Sequence, residues 1–296
     1  MKAQFAGIIL ALFFLTSSCA RQEVSDRGTL HESQGVPIIG GDKVQGFSNP
    51  ASRSLVYIEF FNPTQQTYSF CSGTLIGPRT VLTAAHCFDT HIVPRTSFNI
   101  VFKDRVEPGS RARVRSGTGF VKHPLYNSTP RRSSSRGARV FDHDIALAFF
   151  LGEAPEGATP APVDTDLKAN YGGQKVEAYG FGRGQDYFAS GQEDKERGGI
   201  GLLRRGVMKV SADYQRFSDR YYTSASSESF LCKGDSGGPQ FHHQNGKLKI
   251  IGVNSAVLGR KLPNGRRSCV GIAQATKVAP FYKWILQEQK KLLDLH

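Results

Sequence analysis

Runs of six to ten residues rich in β-branched and aromatic side chains, each closed by glycine, proline or polar residues, recur from Leu55 to Val278. They read LVYIEF at 55–60, SFCSGTLI at 69–76, SFNIVF at 97–102, DIALAFF at 144–150, KVEAYGFG at 175–182, GVMKVS at 206–211, KLKIIGVNSA at 247–256 and AQATKV at 273–278. Such segments are too short for a typical helix and suit a pleated strand buried on at least one face. Only at the end, where Phe281, Ile285 and Leu292 recur between polar residues, does a helical period emerge. The pattern predicts an all-β chain closed by a C-terminal α-helix over about 280–294, without internal repeats and with a glycine-rich surface loop from Gly182 to Gly201. A hydrophobic content of 39% excludes a disordered chain.

The first twenty residues differ in character. Lys2 precedes an apolar run from Phe5 to Leu15 and then small residues, the layout of a secretory signal; the run is shorter than the roughly 20 residues a membrane span needs. Two processing readings stay open. Thr16-Ser17-Ser18-Cys19 resembles a bacterial lipobox, with Thr16 where its leucine belongs, and would put a lipid and a membrane anchor on Cys19; Ser18-Cys19-Ala20 also fits an ordinary cleavage site. Residues 1–19 are thus expected to be a signal, and 20–37, polar and without apolar period, a leader or propeptide. Export places the protein outside the cell, in the periplasm or on the cell envelope, where cysteines pair. Setting Cys19 aside, Cys71, Cys87, Cys232 and Cys269 form an even set with three possible connectivities.

A formal charge of +13 raises the question of a nucleic-acid partner. The densest basic run, Arg131-Arg132-Ser133-Ser134-Ser135-Arg136-Gly137-Ala138-Arg139, has no interleaved aromatic side chain to stack on a base. It reads as a solvated loop, and no nucleic-acid partner is assigned. No metal-ligand cluster or nucleotide-binding loop occurs, so no metal and no cofactor are assigned either.

Three segments carry chemistry: TAAHC at 83–87, DHDIAL at 142–147 and CKGDSGGP at 232–239. A serine hydroxyl is a poor nucleophile until a base takes its proton, and the base works best when an acceptor behind it fixes the tautomer and stabilises the imidazolium. Ser236, His86 and Asp144 supply those three groups. Their order excludes the G-x-S-x-G hydrolases, in which the acid and the histidine follow the serine.

With Ile38-Ile39-Gly40-Gly41 ahead of them, these motifs make the chain resemble the chymotrypsin-like (trypsin-fold) serine peptidases from Ile38 to about Ile285; the signal suggests a bacterial secreted or lipoprotein-type member. The resemblance implies two antiparallel Greek-key β-barrels, one over about 38–150 and one over about 151–278, with His86, Asp144 and Ser236 in the cleft between them. It also implies disulfides Cys71–Cys87 and Cys232–Cys269, and an oxyanion hole made by the N–H groups of Gly234 and Ser236. Asp235, buried beside the nucleophile, would need a cation; the implied partner is the α-amine of Ile38, freed when an activating peptidase cuts the zymogen.

Two departures from the family pattern matter. The specificity pocket would be formed by Phe230 and Leu231, by Ser255, Ala256 and Val257, and by residues from Gly271 to Ala273. No aspartate stands at Phe230 to pair a basic substrate side chain, and Val257 and Ala256 replace a glycine and a tryptophan, so the expected preference is for small or apolar residues, with Glu228 near enough to modify it. Pro37, where zymogens present Arg or Lys, leaves the activating peptidase open. The implied activity is endopeptidase cleavage of proteins or peptides through an acyl-enzyme; the alternative is a silent binding protein of the cell envelope that keeps the fold.

Overall fold

The computed structural model describes residues 38–90, 97–103, 113–132, 139–184, 186, 199–225 and 229–294. The signal, Cys19, the leader with Pro37, Glu228, and most of the Gly182–Gly201 and Arg131–Arg139 stretches lie outside the described residues.

The elements follow one another as Asp42–Lys43 (β1), Leu55–Asn62 (β2), Thr67–Gly77 (β3), Thr80–Thr83 (β4), Cys87–Thr90 (α1), Ser97–Val101 (β5), Val114–Lys122 (β6), Arg131–Arg132 (β7), Arg139–Val140 (β8), Ala146–Phe150 (β9), Lys175–Gly180 (β10), Arg204–Val210 (β11), Arg220–Ala225 (β12), Pro239–Gln244 (β13), Lys247–Val257 (β14), Ala273–Lys277 (β15) and Tyr282–Asp294 (α2). Eight of the predicted runs are strands in these bounds, and the predicted helix is α2.

The strands close into two six-stranded antiparallel barrels. In the first the hydrogen-bonded order is β2-β3-β4-β9-β6-β5, with β5 returning to β2. In the second it is β11-β10-β13-β14-β15-β12, with β12 returning to β11 and β1 added at the rim. Within each barrel the strands have the same ring order, and closure pairs every one of the six strands on both sides. Leu55, Val56, Tyr57 and Ile58 of β2 are buried on both faces, because one face fills the barrel and the other meets neighbouring structure. One apolar cluster runs from the first barrel through Tyr179, Phe181, Phe241 and Val253 of the second to Phe281 and Ile285 at α2. A separate cluster of Ile38, Val176, Ala178, Met208 and Ile251 fills the second barrel. Disulfides join Cys71 to Cys87 and Cys232 to Cys269.

Candidate active site

Strand pairing brings the histidine and the aspartate together. Thr83 of β4 is paired with Ala146 of β9; His86 follows the first by three residues and Asp144 precedes the second by two, so antiparallel register delivers both to one end of the barrel. Asp144 is fully buried. Its Oδ2 receives the His86 Nδ1–H at 2.7 Å and its Oδ1 the His86 backbone N–H at 2.9 Å. The second barrel adds a third donor, the Ser255 hydroxyl on β14, at 2.5 Å from Oδ2.

These contacts settle the charge state. Burial pushes the Asp144 pKa up, but the facing imidazole and the donated hydrogen bonds outweigh it and hold the carboxyl below its ordinary value. Burial pushes His86 down, and the Asp144 carboxylate, helped by Asp89, raises it above the ordinary value. A buried carboxylate only accepts, so Nδ1 carries the proton, and the ring in its neutral form presents Nε2 as its basic nitrogen. Phe141 stacks on the imidazole with ring centroids 5.0 Å apart.

The loop bearing Asp144 is held from the second barrel. Asp142 is ion-paired to Arg220 on β12 of that barrel, and also to Arg131 on β7, outside it. The His143 N–H donates to Asp219 at 2.9 Å, and Gln274 Nε2 to the Phe141 carbonyl at 2.6 Å.

Ser236 lies on the turn between β12 and β13, clamped from both barrels. The Ser72 N–H donates to the Ser236 carbonyl at 2.8 Å, and the Ser72 hydroxyl to the Gly234 carbonyl at 2.9 Å. Gly234 has φ +100°, and a Cβ there would overlap the Phe70 ring; only glycine suits the position. Among the described residues, the N–H groups of Gly234 and Ser236 have no protein acceptor, whereas those of Asp235 and Gly237 bond to the carbonyls of Cys232 and Asn254. Asp235 is buried and accepts the N–H of Gly182 and of Cys232 at 2.8 Å each. Burial pushes its pKa up to about 7, and among the described residues no cation pairs with it. Ile38 is buried in the core of the second barrel, and Ile39 exchanges both backbone hydrogen bonds with Phe230 at 2.9 Å.

A cleft of about 890 Å³ is lined by His86 and Ser236 together with Leu231, Gly234, Ser255, Ala256 and Val257. Phe230 and the Gly271–Ala273 stretch do not line it; strand-like pairing with Ile39 commits Phe230 to the N-terminal segment. Motif reading missed the bond from Ser255 to Asp144, the Ser72 clamp and the basic side chains at the cleft wall. Apart from Lys233, which lies inside the CKGDSGGP segment, none carries a local signal, since each contact joins residues distant in sequence.

Two closed six-stranded barrels, with a cleft shared by His86 and Ser236, define the chymotrypsin-like fold class. The chain belongs to the trypsin family: the family profile described as Trypsin matches residues 38–285. Human granzyme M is 26% identical over 270 residues, covering 86% of this chain and 89% of its own length. Dog chymotrypsin-like elastase family member 1 is 26% identical over 278 residues (86% and 95%), and rat cationic trypsin-3 is 27% identical over 255 residues (83% and 89%).

Proposed function

We propose that the chain is an exported serine endopeptidase that cleaves peptides and proteins through an acyl-enzyme. The observation that carries the reading is the hydrogen-bonded relay from Ser255 through Asp144 to His86 at the wall of the cleft that Ser236 also lines. In the proposed cycle, His86 Nε2 takes the Ser236 hydroxyl proton as Oγ adds to the scissile carbonyl, and returns it to the leaving amine. Water then hydrolyses the ester by the same route. Asp144 stabilises the imidazolium, and the N–H groups of Gly234 and Ser236 receive the developing oxyanion.

Activation in this reading follows a cut before Ile38, whose amine becomes the counter-ion of Asp235. The buried carboxylate, beside which no cation stands among the described residues, supports it. If Cys19 is lipidated, the same cut releases the domain from the membrane, because residues 20–37 hold no cysteine to tether it. Leu231, Ala256 and Val257 support cleavage after small or medium apolar residues.

Casein hydrolysis tests the core of the reading. Ser236→Ala is expected to lower the rate on the order of a millionfold with the fold retained; near-parent activity in that variant would refute it, and an inert parent chain cut before Ile38 would favour a silent binding protein.

A further inference from the structure

The lining of the cleft beside Ser236 is rich in cations, with the Asp186 carboxylate behind it, bonded to Ser268 and to the Cys269 N–H. Among the described residues, Asp235 is the one carboxylate in its lining, and it is buried under two backbone N–H groups. Five cationic side chains line the same cleft: Arg139, Arg183, Lys233, Arg266 and Arg267. They converge from distant parts of the sequence. Arg139, on β8, stands two residues from the Phe141 that stacks on His86. Lys233 adjoins Gly234, and its carbonyl accepts the Arg183 N–H at 3.0 Å, which puts both on the Ser236 side. Arg266 and Arg267 belong to the wall tied down by the Cys232–Cys269 disulfide.

Asp142, the acid nearest in sequence to Arg139, is already engaged by Arg131 and Arg220. Arg139 and Lys233 are exposed and make no ion pair among the described residues. A cleft walled by one sign of charge concentrates oppositely charged ligands and steers their approach.

We propose that the cleft selects polypeptide segments carrying Asp or Glu within a few residues of the scissile bond, with Arg139 and Lys233 as specificity-determining residues. The inference rests on reading the cleft as a peptidase's substrate site. The apolar positions Leu231, Ala256 and Val257 serve the residue just before the bond, so the acidic side chains flank it.

Binding to the full-length Ser236→Ala chain separates recognition from catalysis. Three fluorescein-labelled octapeptides, identical except for Glu, Gln or Lys at the positions flanking a central alanine, are titrated by fluorescence anisotropy at low and high salt. The Glu peptide is expected to bind roughly tenfold tighter than the Gln peptide at low salt, the Lys peptide weakest, with the advantage shrinking at high salt. Arg139→Gln with Lys233→Gln should remove most of that advantage, while Lys283→Gln with Lys290→Gln on the exposed face of α2 should leave it. Equal affinity for the Glu and Gln peptides would overturn the inference, as would an advantage lost with the helix pair but kept without the cleft pair. Hydrolysis by the Ser236-containing chain cut before Ile38 is scored separately. Preferential binding of the Glu peptide without cleavage of any peptide would sink the peptidase reading and keep the charge selection; cleavage of all three at one rate, with equal binding, would do the reverse.

Discussion

The buried carboxylate of Asp235 makes the stability of the uncut chain depend on pH. Its two oxygens are satisfied by the N–H groups of Gly182 and Cys232, yet burial moves its pKa from 3.8 to about 7. Between those values the folded state holds a proton that the unfolded state has released. The stability contribution is therefore fully present below about pH 4 and is lost as pH rises through 7. The whole window is worth about 4 kcal/mol, of which about 3 kcal/mol falls between pH 5 and pH 8. Asp235→Asn removes the titration. Asparagine keeps an acceptor for one N–H and turns an NH₂ toward the other, a pH-independent cost of about 1–3 kcal/mol. Whatever that cost, the variant should gain about 3 kcal/mol on its parent from pH 5 to pH 8, and because the cost is smaller than the full window it should be the more stable of the two at pH 8. Urea denaturation followed by circular dichroism, in a Ser236→Ala background with disulfides intact, measures the difference. A stability difference that stays constant within about 0.5 kcal/mol across that range would refute the reasoning. After a cut before Ile38 the sign should reverse at pH 8, because the freed amine then supplies the charge that Asp235 lacks.

Two further substitutions probe the Ser255–Asp144–His86 hydrogen bonds and the turn at Gly234. Ser255→Ala removes one of three donors to Asp144, a charge-assisted bond worth about 1.5–3 kcal/mol, so kcat/KM on a peptide substrate should fall about tenfold to a hundredfold with KM little changed; an unaltered kcat would dismiss the bond as catalytically idle. Gly234→Ala forces a Cβ into the Phe70 ring at φ +100°. It should cost at least about 1–3 kcal/mol of stability and about a hundredfold in kcat, and a variant matching the parent in both would show that the N–H of residue 234 is not held as described.

How much of this was legible in the chain depends on the range of the forces involved. Eight of the twelve barrel strands announced themselves, because β-branched and aromatic residues packed on both faces leave a dense local pattern. The four that did not have identifiable reasons. β4 is only four residues long, β6 carries Gly117 and Gly119 and alternates half-buried with exposed positions, β12 begins with polar Arg220, and β13 starts at Pro239, the last residue of the serine segment. The ring order of each barrel, with β9 between β4 and β6, depends on pairings too distant for any local signal.

The candidate site divides along the same line. His86, Asp144 and Ser236 could be named as candidates from the sequence because each sits in a short distinctive segment, TAAHC, DHDIAL or CKGDSGGP, the last with a backbone demand of its own in the positive φ of Gly234. Ser255 as a donor to Asp144, Phe230 drawn away from the cleft by Ile39, and Arg139, Arg183, Arg266 and Arg267 collected around the groove beside Lys233 have no such mark. In the sequence those cations are spread among many others. Tertiary structure alone decided that they share a wall with Ser236, because long-range strand register, and not local propensity, sets which side chains meet.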